Sequence, residues 1–178
     1  MAVSLSDHTD RRPLRGDIDN KMVGTLAMTP TGIKPEQLEF KLAEHYNLPL
    51  VKSFYKKNGM RAQAPKGDLI FIATLDNVIV AALRLHPVNS FYLLRSMCVR
   101  ADNRHQGIGS ALLEHIQLKL NDIECYSFPY THLSDFYSRA NFVNFDAQFV
   151  PEAISDKFYR YLNNGKKICL MKHQHKAS

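Results

Sequence analysis

The chain has 178 residues, 45% of them apolar, and a formal net charge of +6. That length and apolar share fit one globular domain with its own core and exclude a disordered or low-complexity protein. No apolar run approaches the roughly 18 residues of a membrane-spanning helix, and the polar start of the chain lacks the apolar stretch of a secretory signal.

Three cysteines, Cys98, Cys125 and Cys169, sit in apolar, strand-like runs. An odd count in such places points to buried, reduced thiols and a cytoplasmic location. The positive excess gathers at the carboxyl end, where Lys166, Lys167, Lys172 and Lys176 lie between Gly165 and Ser178 without an acid. No long basic stripe interleaved with aromatics accompanies them, so nucleic acid is disfavoured as a partner and no membrane partner is expected.

Residues 1–36 are rich in Asp, Arg, Thr, Pro and Gly and read as a mobile or loosely packed extension, with a short strand near Met22–Met28. The domain proper is expected over 37–172, with 173–178 as a basic tail. Leu38–Leu42 alternates strictly and predicts a half-buried strand; a helix over Pro35–Asn47 is the competing reading. Asn47 and Pro49 then open a helix from Leu48 to about Lys57 that ends at Asn58-Gly59. Leu69–Leu75 and Val78–Leu85 flank the turn Asp76-Asn77 and predict a hairpin. Pro87–Ser90 reads as the next turn and Phe91–Val99 as the next strand.

The main helix is expected from Gly107 to about Leu120, burying Ile108, Ala111, Leu112, His115, Ile116 and Leu118–Leu120. A strand over Ile123–Phe128, a short helix over Leu133–Ala140 and a strand over Phe142–Phe149 follow. Pro151–Asn163 reads as a helix, and Lys166–Lys172 as the closing strand.

The informative stretch joins Phe91–Val99 to the main helix through Arg100-Ala101-Asp102-Asn103-Arg104-His105-Gln106-Gly107-Ile108-Gly109-Ser110. The first amides of a helix have no intrahelical acceptor and carry the positive end of its dipole. Two glycines without Cβ let a phosphate approach them. A Walker loop needs Lys-Ser or Lys-Thr after its last glycine, where this chain has Ser110-Ala111. A dinucleotide fingerprint needs a third glycine. What remains is Arg-x-x-Gly-x-Gly after a strand. Downstream, Asp135-Phe136-Tyr137-Ser138-Arg139-Ala140-Asn141-Phe142 reads as a short helix closed by a left-handed cap, for which asparagine is the best choice after glycine.

These two segments, in this order, resemble the acetyl-CoA loop and the Phe-Tyr-x-x-x-Gly-Phe segment of the GNAT N-acetyltransferase superfamily; Asn141 stands where the family has glycine. The resemblance covers roughly Leu38 to Lys172. It implies an α/β fold with a mixed, mostly antiparallel sheet of about six or seven strands flanked by helices. Phe91–Val99 and Ile123–Phe128 would be its splayed parallel pair. The implied reaction is direct transfer of an acetyl group from acetyl-CoA, as co-substrate, to an amine of a small molecule or an exposed protein amino group. Backbone groups of Met97, Cys98 and Val99 would then pair with the pantetheine arm. Arg104, His105, Gln106, Gly107, Ile108, Gly109 and Ser110 would hold the diphosphate.

Tyr137, with an ordinary phenol pKa of roughly 10, suits protonation of the departing thiolate. No base is assigned: Glu124 reads as a solvated strand end, while His86 and Tyr92 are equally plausible as sheet residues. Cys125 reads as a core thiol, and the histidines lack the spacing of a metal site. The acceptor pocket is expected from Leu48–Gly59, the loop after it, and Phe149–Asn164. A second copy of the chain is kept as a candidate partner. The alternative function is a CoA-binding sensor or interaction module without catalysis.

Overall fold

The computed structural model describes residues 33–61, 65 and 67–175; the strand expected near Met22–Met28 lies outside them. Among the described residues, seven strands form one sheet: β1 (Glu39–Leu42), β2 (Leu69–Leu75), β3 (Val78–Val88), β4 (Phe91–Val99), β5 (Cys125–Ser127), β6 (Phe142–Asn144) and β7 (Met171–His173). Their order is β1-β2-β3-β4-β5-β7-β6. Only β4 and β5 run parallel; the other pairs are antiparallel.

The helices are α1 (Leu48–Lys57), α2 (Ile108–His115), α3 (Gln117–Asn121), α4 (Ser134–Ser138) and α5 (Glu152–Asn163). One sheet face buries Leu83, Leu85 and Leu94 beneath Leu112, Leu113 and Tyr137 of α2 and α4. The other packs Ile70, Ile72 and Ala82 against Val51, Phe54 and Tyr55 of α1. Next to that patch, Leu93 and Tyr126 meet Ile154 of α5.

The local signals explain most of these elements. Asp76 and Asn77 both adopt positive φ, as a two-residue hairpin turn demands. The α1 helix occupies its expected range, but the Asn47 side chain does not cap it; its Oδ1 accepts from the Glu44 amide in the preceding 3-10 turn. Asn141 has φ +61°, the left-handed conformation its position requires.

Several expectations need correction. β3 runs through Pro87 to Val88, so the turn shrinks to Asn89-Ser90. Pro87 lies opposite Tyr92, whose amide donates to Glu124 on the far side of β4. The pair is therefore not hydrogen-bonded, and the missing proline N–H faces ground that β2 has left, since β2 pairing stops at Leu85.

The main helix kinks at Ile116, with φ −88° and ψ 3°, and divides into α2 and α3. Leu118, expected to be buried, is 81% exposed, because the covered positions Ile108, Leu112, Ile116 and Leu120 repeat every four residues and leave it off that face. His115 is also exposed, stacked on Phe40 at 5.0 Å.

β5 stops at Ser127 because Pro129 follows with no N–H to donate. The closing strand is accordingly reduced to one bridge between Tyr130 and Ile168, followed by Met171–His173. β6 ends at Asn144, since the Asp146 carboxylate accepts the Gln148 amide at 3.0 Å and folds a 3-10 turn. Cys98 and Cys125 are buried free thiols, whereas Cys169 is partly exposed.

Candidate active site

β4 and β5 pair over Tyr92–Cys125, Leu93–Tyr126 and Leu94–Ser127, and then part. Immediately beyond, β4 carries one residue more than β3: Arg84 faces Arg95 but Ala82 faces Cys98, and Ser96 takes φ +56°. Such a bulge bends the strand and leaves its extra residue unpaired. The cleft that opens is lined by Arg95, Ser96 and Met97 of β4, Ser127, Phe128 and Pro129 beyond β5, Tyr137 of α4 and Tyr161 of α5, among others.

The bulge also decides which backbone groups face this opening. Arg100 donates its amide to the Val80 carbonyl of β3. By alternation, Cys98 faces β3 as well, while the backbone groups of Met97 and Val99 face the cleft. The Val99 carbonyl accepts Nε of Arg104 at 3.2 Å, so the Arg104 side chain folds back on the strand end.

The loop from Arg104 to Ser110 leads into α2. His105 and Gly107 have φ +61° and +78°, and left-handed residues in such a loop turn successive N–H groups toward one concavity. Ala111 donates to Gly107, so the amides of Ile108, Gly109 and Ser110 precede the first intrahelical bond. The two glycines have different reasons to be there. A Cβ on Gly107 would meet nothing within 4 Å, so that position needs glycine for its φ and leaves the backbone open to a ligand. A Cβ on Gly109 would lie 3.2 Å from Met97 Cε, 3.3 Å from Phe136 Cζ and 3.4 Å from Val99 Cγ2, so glycine there lets α2 close on β4. Gln106 braces the loop, donating to the Asp102 carbonyl and accepting from the Ile33 amide.

Tyr137 lies on the α2 side of the cleft, packed edge-on against Phe136 and Phe142. Burial drives its phenol above the ordinary value, opposed by the Ser127 hydroxyl. Its position is anchored by Gln117, which donates to the Ala140 carbonyl and accepts from Asn141 Nδ2 at 3.2 Å.

The remaining candidates are placed as follows. Glu124 is engaged by Lys172 Nζ and by the Tyr126 hydroxyl, which hold its carboxyl below the usual range. Cys125 is fully buried, and burial pushes its thiol up to about 12, which leaves it inert as a nucleophile. His132, in the 3-10 turn that precedes α4, stacks on Tyr130 at 5.8 Å and adds no further candidate. No group of three or more metal-ligating side chains occurs among the described residues.

The sequence reading missed a polar cluster on the α1 face. Asp68, just before β2, pairs with Arg84 at 3.2 Å and with His86 Nδ1 at 2.8 Å, and its side chain is 1% exposed. The available signal was Arg84 itself, a cation within the apolar run of β3, which demands a buried counter-charge.

A seven-stranded sheet with one parallel pair, split at that pair beside a glycine-shaped helix start, has the fold class of the N-acetyltransferases. Residues 66–144 match the family model for the acetyltransferase (GNAT) domain. No curated protein sequence matches it.

Among solved structures, it is similar to N-acetylglutamate synthase from Neisseria gonorrhoeae complexed with coenzyme A and N-acetyl-glutamate. That match has 14% identity and a TM-score of 0.60, and covers 79% of this chain but 35% of the synthase. This chain thus spans about a third of that enzyme. The ribosomal-protein-S18-alanine N-acetyltransferase from Escherichia coli matches at 15% identity and TM-score 0.54, over 79% of this chain and 96% of that one. A GNAT family acetyltransferase from Elizabethkingia anophelis with acetyl-CoA bound matches at 15% identity and TM-score 0.51, over 78% and 99%. At these identities the likenesses establish the fold. Among the described residues, no helix is long and apolar enough to cross a membrane.

Proposed function

We propose that this protein transfers an acetyl group from acetyl-CoA to an amine. One observation carries the reading: β4 and β5 pair for three residues and part, with Tyr137 in the gap and the free amide end of α2 packed against the same strand. The residues fit the donor. Amides over His105–Ser110 suit a diphosphate beside the open face of Gly107. Met97 and Val99 supply strand-edge groups for the pantetheine amides, with Arg104 exchanging its bond to Val99 for a phosphate. Cys98 contributes its place in the strand, not its backbone hydrogen bonds.

In the reaction the amine nitrogen attacks the thioester carbonyl carbon, a C–N bond forms and the C–S bond breaks. The nitrogen sheds a second proton to solvent as the amide forms, while Tyr137 gives its phenolic proton to the departing sulfur and regains one from solvent. Among the described residues, those lining the cleft include no carboxylate and no imidazole. The ammonium proton therefore leaves to solvent before attack, and the rate rises with pH until the acceptor is fully deprotonated.

The test is thiol release from acetyl-CoA across amino acids, polyamines, aminoglycosides and peptide amino termini, with calorimetric titration of CoA alongside. Saturable CoA binding with amine-dependent thiol release supports the proposal; failure to bind CoA overturns it. The missing base favours a second reading, a CoA-binding module without catalysis. CoA binding with no thiol release for any acceptor would select it.

A further inference from the structure

Arg84 and Arg95 are direct cross-strand neighbours on β3 and β4. Like charges so placed repel, and the repulsion grows as water is excluded. Arg84 is buried and paired with Asp68, whose second oxygen is taken by His86. Burial lowers the Arg84 guanidinium, Asp68 opposes that, and Arg95 adds to it. Arg95 itself is half-buried and donates from Nη2 to the neutral Tyr161 hydroxyl at 3.2 Å. No carboxylate pairs with Arg95 among the described residues. Among the described residues, the charged side chains lining the cleft are Arg95 and Lys166, both positive.

The location matters as much as the charge. Arg95 is the last β4 residue before the bulge, one past the point where β4 leaves β5. It shares the sheet face of Leu93, which packs with α5, while Leu94 shares the Tyr137 face. Its guanidinium therefore stands across the sheet from the proposed acid, on the side an acceptor would enter. A guanidinium has five N–H donors, and the bond to Tyr161 leaves an edge free for a two-pronged contact.

We propose that the acceptor is a small amine carrying a carboxylate a few atoms from its nitrogen, and that Arg95 binds this carboxylate. Tyr161 fixes the guanidinium plane, and Lys166 adds positive potential at the rim. A polyamine or a basic aminoglycoside meets two uncompensated cations and is disfavoured. This deepens the acetyl-transfer reading and rests on it.

The experiment compares free amino acids with their carboxamides as acceptors at saturating acetyl-CoA, with spermidine as the cationic control, for wild type, Arg95→Met and Arg95→Lys. Binding of the same amino acids to the CoA-loaded protein is measured by calorimetry, so turnover is not the sole readout. In wild type the best amino acid exceeds its carboxamide and spermidine in kcat/KM by roughly tenfold or more. Arg95→Met raises KM for the amino acid by roughly tenfold with a smaller effect on kcat, and leaves the carboxamide and CoA affinity unchanged; Arg95→Lys recovers part of the loss. Preference for spermidine or the carboxamide, equal effects of Arg95→Met on both acceptors, or no amino-acid binding to the CoA complex would overturn the proposal. Failure of wild type to bind CoA would instead defeat the transfer reading beneath it.

Discussion

Replacing Tyr137 with phenylalanine removes one oxygen from the cleft. The ring keeps its edge contacts with Phe136 and Phe142, at centroid separations of 5.2 and 5.8 Å. Ser127 keeps its own donation to the Leu94 carbonyl at 3.2 Å. The loss of stability is thus bounded by one buried hydroxyl, about 1 kcal/mol. The loss of rate is larger, because the thiolate must then take its proton from water. A positioned acid contributes about ten-fold or more, equivalent to roughly 1.4 kcal/mol of barrier.

Burial keeps the phenol above its ordinary value of 10.0, so wild type shows no falling limb from this group below that pH. The assay is initial thiol release with saturating acetyl-CoA for both proteins, accompanied by urea unfolding and CoA calorimetry. We expect kcat to fall at least about ten-fold, with CoA affinity unchanged. Equal turnover in a stably folded variant would refute the assignment of Tyr137.

Gly107→Ala forces a Cβ into a left-handed conformation and should destabilise the fold by about 1–2 kcal/mol in denaturant melts. Gly109→Ala instead regains up to about 1 kcal/mol of helix propensity, but it pushes Met97 and Phe136 toward the cleft. Near-wild-type stability with weaker CoA binding is the expected result. His173 is buried, donates Nε2–H to Gln117, and has its pKa lowered to about 4 by burial and then by His175. Its folded pKa lies below the unfolded value, so its contribution is complete above about pH 6.5 and is lost toward pH 4, up to about 3 kcal/mol. Urea melts across this range should show that slope, flattened in His173→Gln. Glu124→Gln should leave acetyl transfer unchanged and stability within about 1 kcal/mol in the same assays, because its partners hold it in a partly exposed ion pair.

The legible parts of the fold were those dictated by neighbours in sequence. Asp76-Asn77 specifies a turn wherever it sits, and Phe91–Val99 is apolar enough to be a strand in any context. Asn141 could be assigned its left-handed cap because few residues tolerate that conformation. The features that escaped depend on partners distant in the chain. Pro87 stays in a strand because β2 has already ended, and Lys166–Lys172 loses most of its ladder because Pro129 stands opposite the gap. The Asp68–Arg84 pair joins residues with nothing in local pattern to link them. At the site, the helix start and Tyr137 could be located from sequence. The bulge that turns Cys98 toward β3 and away from the cleft could not, since one strand's extra residue is defined only against its partner.

That single surplus residue reverses the phase of β4. Before Ser96 odd-numbered side chains point toward α5, as Leu93 does; after it Cys98, an even number, points toward α1, while Met97 and Val99 turn under α2. One strand thereby serves both faces of the sheet on either side of a single bend. Deleting Ser96 would remove the surplus residue and leave Leu93, Met97, Cys98 and Val99 on their present faces, so the loss would fall on the bend itself, where β4 parts from β5.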